Sequence, residues 1–189
     1  MLESEFFTAL KTVLDTGLAA RSIPNIKVEQ AYQPRMQGAP DGMAILLSKV
    51  NLHAYGYPKV EEDWFTPPPP ADGYMKRTET QIYEMTVQVQ GSVKQPPINP
   101  TKPDALLPYT AGDLTKIAGR ILQSVAGTEQ LKALGIGTQR MGEIPQSYFK
   151  DDSDAFAQSP HFTLVLSFID VDTVTIPFVT DTSLKIVPV

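Results

Sequence analysis

The chain contains no cysteine, which excludes disulfides, thiolate metal sites and cysteine nucleophiles together and leaves no need for an oxidising compartment. Histidine is nearly absent: His53 and His161 are the two in the sequence. A general base is conceivable at either, but no nucleophile signature such as Gly-x-Ser-x-Gly accompanies them, and the reading as polar residues at strand ends outweighs it. No apolar run approaches the roughly 18 residues that span a bilayer. Met1 to Phe7 carries Glu3 and Glu5 where a secretory signal carries positive charge. The expectation is a soluble protein made and kept in a cytoplasm. Basic charge is also scarce, with a net charge of -5. A protein that grips nucleic acid through a broad basic face draws its affinity from clustered Lys and Arg, so that class is disfavoured and only local patches are left open.

What is present belongs to one domain. At 189 residues the chain can bury one sizeable core and is short for two. The 17 prolines are roughly twice the usual share of about 5%, and they gather in a few stretches that read as loops. Leu114, Ile117, Ala118, Ile121, Leu122 and Val125 fall on one stripe of a helix spanning Thr110 to Val125. Thr110 and Asp113 form an aspartate variant of the capping box at its start. A first helix, Ser4 to Leu18, presents Phe6, Phe7, Leu10, Val13 and Leu14, with Gly17 and Pro24 limiting its end.

Strands follow from period-two alternation. Ile26 to Tyr32 is a short first strand, and Met43 to Tyr55 a second with a bend near Ser48. In Thr78 to Val93, Tyr83, Met85, Val87 and Val89 alternate with polar residues. Phe162, Leu164, Leu166 and Phe168 mark a central strand to Ile169. After Gly127, taken as a helix breaker, Thr128 to Leu134 makes a short helix closed by Gly135. Ile136 to Met141 is a candidate strand and Gly142 to Ser159 reads as irregular. The fold class is α+β, a mostly antiparallel sheet with helices packed on one face. The whole of 1–189 is one domain, with a long projecting loop at 56–77 and a C-terminal arm at 172–189, whose β-prone runs Val174 to Ile176 and Leu184 to Val187 read as edge strands or an arm.

Candidate chemistry is sparse. Asp151, Asp152 and Asp154 resemble a calcium loop only in their first residues, and a solvated turn is the better reading. Gly135, Gly137 and Gly142 do not form a dinucleotide fingerprint, because they follow a helix where a strand is required. Glu61, Glu62 and Asp63 read as solubilising charge on a loop. No catalytic residue, cofactor or metal ligand is assigned. Trp64 and Phe65 differ in kind: an aromatic pair on a long loop either tucks onto its own domain or anchors a partner. With Pro67, Pro68, Pro69 and Pro70, whose run favours a stiff polyproline II spacer, and with Phe178 in the C-terminal arm, they are the candidate interface residues.

The order of elements carries a resemblance. An N-terminal helix precedes a strand that leads into Gln30, Gln33 and Pro34. Two long strands follow, with the segment Val87-Gln88-Val89-Gln90-Gly91. The helix beginning Tyr109-Thr110-Ala111-Gly112-Asp113, then Leu134-Gly135-Ile136-Gly137, and Asp154-Ala155-Phe156-Ala157 entering an alternating strand complete the pattern. Over nearly the whole chain this resembles the tail terminator, or neck terminator, proteins of tailed bacteriophages. The resemblance implies a structural virion protein of the tail or neck, assembled in the host cytoplasm. It would form a hexameric ring at the head-proximal end of the tail, meet the tail tube protein and the head-completion or connector proteins, and let genome DNA through its lumen without specific binding. No membrane is involved. The insertion at 56–77, the segment Gln95 to Pro108 and the extended C-terminus depart from the family pattern. Competing readings are a proline-rich adaptor whose Pro67 to Pro70 segment binds an aromatic groove, another head–tail connector of the same virion, and a hydrolase built on His53 or His161.

Overall fold

Where apolar side chains recur every second residue, a strand presents one greasy face, and two such strands set the centre of this fold. The structure is a computed structural model that describes residues 2–31, 42–65, 74–94, 107–144, 146–150 and 156–177, with backbone alone over 146–150 and 156–159. Strand β3 (Tyr74–Lys94) and strand β6 (Phe156–Pro177) run antiparallel in unbroken register from Gln90 opposite His161 to Tyr74 opposite Pro177. Val89, Val87 and Met85 lie opposite Phe162, Leu164 and Leu166, and all six are buried.

The other strands join this pair. Strand β2 (Gly42–Phe65) lies antiparallel along the far side of β3. Strand β1 (Ile26–Gln30) pairs parallel with β2 over Met43 to Leu47. Helix α1 (Glu3–Ala20) precedes them; helices α2 (Ala111–Leu122) and α3 (Val125–Ala133) follow β3. Strand β4 (Ile136–Met141) adds to β6, giving the order β1-β2-β3-β6-β4, while β5 (Gln146–Lys150) pairs with the first residues of β6. With one parallel pair among antiparallel ones, this is the α+β class read from the sequence.

The helices cover one face. Phe6, Leu10 and Leu14 of α1, and Leu114, Ile121 and Leu122 of α2, join the sheet residues in a single hydrophobic cluster. Full burial of such a side chain contributes roughly 1.5–3 kcal/mol, so the layer is held mainly by these stripes. Two glycines set how closely the layers approach. A Cβ on Gly91 of β3 would stand 2.2 Å from the Ala111 carbonyl oxygen, and one on Gly17 of α1 would stand 2.3 Å from Ile121 Cγ2. At the first contact the Gly91 amide donates to Thr115 Oγ1 at 2.9 Å, with the Ala111 and Pro160 carbonyls at 2.9 and 3.0 Å from that hydroxyl. A buried threonine is thereby satisfied by helix and sheet together.

The capping box at the head of α2 is present. Thr110 Oγ1 accepts from the Asp113 amide at 3.2 Å and the Asp113 carboxylate accepts from the Thr110 amide at 3.0 Å. The Thr110 hydroxyl also donates to Asp113 Oδ2 at 2.7 Å, and this bond, ahead of the one from the Thr110 amide, holds the Asp113 carboxyl below its ordinary pKa.

Several boundaries differ from the sequence reading. The helix expected to run to Val125 stops at Leu122 because Ser124 starts a new one, its Oγ accepting from the Gly127 amide at 3.0 Å. Val125, placed on the apolar stripe, opens α3 instead and is 74% exposed. Gly127, taken as a breaker, is inside α3, where a Cβ would meet the Ile121 carbonyl oxygen at 2.1 Å. Gly17 likewise lies within α1, and its role is to admit Ile121. The stretch 142–159, expected to be irregular, contains β5 and the start of β6. Gly135 does close α3 in the left-handed region, at φ +78.

Replacing Ile121 by Asp is expected to cost about 3–5 kcal/mol, the range for an uncompensated buried charge; circular dichroism on heating measures it, and near-wild-type stability would displace α2 from the core. Gly91→Ala is expected to cost about 1–3 kcal/mol through overpacking. Urea unfolding with an unchanged midpoint would show that α2 can step away from β3 freely.

Candidate assembly surface

Beyond the helices the sheet continues as a bare ribbon. β1 covers β2 only as far as Leu47 and β4 covers β6 only from Leu164 to Phe168. The distal parts of β2, β3 and β6 therefore extend together as three strands, and β2 is exposed throughout 53–65. The segment 56–77, expected to be a projecting loop, is thus strand over 56–65 and 74–77. Likewise 172–177, expected to form edge strands or an arm, continues β6. Alternation reveals a strand only when one face is buried, and here neither is, so the sequence loses its period-two signal. An extra irregularity hides the pairing further: the β2–β3 register shifts between Tyr55 and Lys59, with Gly56 at φ +71.

Strand geometry sorts the ribbon's side chains onto two faces. On the face away from the helices, Tyr55, Ile82 and Ile169 stand in one row across the three strands, all exposed. Tyr57, in the shifted segment, is 99% exposed. Trp64 and Phe65, 66% and 50% exposed, point to opposite faces because they are consecutive in a strand. Trp64 is level with Met75 and Ile176, while Phe65 lies opposite Tyr74, with ring centroids 5.0 Å apart. The other candidate interface residues, Pro67, Pro68, Pro69, Pro70 and Phe178, lie outside the described residues, as do Asp151, Asp152 and Asp154.

Among the described residues the titratable groups named above do not converge. His53 Nε2 is 3.1 Å from Glu84 Oε2, and Glu84 Oε1 accepts from Gln139 Nε2 at 2.7 Å, a surface network across the sheet. His161 lies opposite Gln90, six β3 positions from Glu84, or roughly 20 Å at strand rise. Glu61 pairs with Lys59 at 2.5 Å, and Glu62 points to the other face. A shallow depression of about 310 Å³ beside α2 and β4 has Arg140 as its one ionisable lining residue and neither histidine. Among the described residues no group of three or more His, Asp or Glu could hold a metal ion, and no helix is long and apolar enough to cross a membrane.

The fold and this surface define an α+β protein most of whose exposed large apolar groups lie on a projecting strand ribbon, an arrangement suited to contacts with other proteins. The chain belongs to the family described as E217 gateway protein gp29, whose model matches residues 5–178. That is a phage head–tail gateway family, and membership gives the chain a structural role at the head–tail junction, in contact with other phage head or tail proteins. No curated protein matches it. The resemblance to neck proteins therefore led to the right part of the virion, while the narrower terminator assignment is a separate matter. Of the ribbon edges, that of β2 was missed from sequence, whereas for β6 the β-prone run Val174 to Ile176 had signalled edge strands or an arm, and strand is what 172–177 forms.

Trp64→Ala is expected to leave the unfolding free energy within about 0.5 kcal/mol of the parent, as for exposed sites away from the core. A larger loss in denaturant unfolding would mean that Trp64 supports its own domain.

Proposed function

We propose that this chain is a structural, non-enzymatic protein of the phage neck that assembles as a hexameric ring at the head-proximal end of the tail. There it ends the tail tube and joins it to head-completion proteins. The observation that carries this reading is the family match over residues 5–178, and the exposed ribbon with Trp64 and Phe65 supplies the surface such a ring needs. The segment 56–77 contacts a neighbouring subunit or an adjoining ring. Genome DNA passes through the lumen; the net charge of -5 opposes tight phosphate binding there.

Mass by light scattering tests the ring. Six subunits of 20.7 kDa give 124 kDa, whereas a proline-rich adaptor stays at the subunit mass. Trp64 is the one tryptophan, so its emission should shift to the blue as subunits or neck partners cover it. A monomer at every concentration, with emission unchanged on adding tail tubes, would sink the ring reading.

A further inference from the structure

The ribbon ends in two strand edges that no other described strand covers. One is β6 from Ile169 to Pro177, the other β2 beyond Leu47. The β6 edge is the more conspicuous. Its register with β3 has no bulge, it contains neither Lys nor Arg, its charges are Asp170 and Asp172, and its one proline is the last residue, Pro177. Natural edges are blunted by charge, lysine above all, by proline, by bulges or by a covering element, and the charge-free stretch from Thr173 to Ile176 invites another strand.

Resting on the ring reading above, we infer that the covering element is a second copy of this chain: the β6 edge of one subunit pairs, parallel and level for level, with the distal β2 edge of the next. Three observations select this pairing. β2 and β6 both run antiparallel to β3 and so share one direction, which makes a head-to-tail joint between rotated copies a parallel one. Joining like edges would use one edge twice and leave the other bare in every subunit, whereas joining unlike edges covers both with one repeated contact that can close. The residues brought level also suit each other. Those sharing a β3 partner are Tyr55 with Ile169, Trp64 with Ile176, and Asp63 with Thr175. Likewise Asp172 comes level with Val60, so neither carboxylate meets another across the joint, the arrangement cross-strand pairing favours. Six copies would supply eighteen strands, a size at which closed barrels enclose an aqueous channel.

The cysteine-free sequence makes the joint testable by disulfide trapping. Asp63 and Thr175 flank Lys76 on the same face. Within one chain they are about two strand spacings, or ~9–10 Å, apart, too far for a disulfide, while adjacent strands are in reach. The double variant Asp63→Cys/Thr175→Cys, and a second pair nearer the core, Glu61→Cys/Thr173→Cys, are oxidised in the concentrated full-length protein and run on denaturing, non-reducing gels. The expected result is a ladder of covalent multimers from each pair, ending at the ring size given by light scattering, with each single variant staying at subunit mass. Covalent dimers from a single variant would overturn the inference in favour of like-edge pairing. A ring by mass without a ladder would overturn it while leaving the ring intact, and a monomer by mass would overturn the ring reading itself.

Discussion

The seventeen-residue ladder between β3 and β6 is the constraint on which the rest of this structure depends. Its inner half carries Met85, Val87 and Val89 against Phe162, Leu164 and Leu166 beneath α2. Its outer half has none of the described helices over it. Because the register is unbroken, the outer strands are held in line by the inner ones, and their position does not rely on side-chain burial of their own. Isolated ribbons gain little stability in water. Here the ladder transmits order from a buried core to an exposed extension.

Close approach of the layers is the second condition, and it is met by removing side chains at particular points. Gly91 lets the first turn of α2 rest on β3, and Thr115 turns that contact into a hydrogen-bonded one. Gly17 lets α1 lie against Ile121. These contacts fix α2 over the strand pair that forms the ladder, so the core end of the ribbon is clamped where the helices stop. For a protein of the head–tail junction this is a sound division: packing is spent on the body, and the exposed β surface is left for other chains.

The same division explains which residues were informative. Catalysis needs groups that converge, and His53, His161 and Glu61 lie at separate levels or tied into separate surface pairs. Trp64 and Phe65 were legible as interface candidates because aromatic residues in a strongly acidic neighbourhood have little reason to be in a core. Their placement on opposite faces of a paired strand was not legible, since nothing in Glu61 to Phe65 alternates between apolar and polar.

The sequence by itself determined the helix stripes of α1 and α2, the Thr110–Asp113 cap, the buried faces of β3 and β6 and the α+β class. Each of these is a local pattern with a fixed period or spacing that burial imposes directly on residue type. Only the tertiary structure decided where the strands end, that β1 is parallel to β2, and that α2 yields to α3 at Ser124. It also decided that 56–65 is strand, and chose strand over arm for 172–177. The physical reason is common to all of them: strand pairing is made by backbone hydrogen bonds between distant segments. Those bonds are nearly indifferent to side-chain identity when both faces of the sheet meet solvent, so such pairing leaves little trace in the sequence.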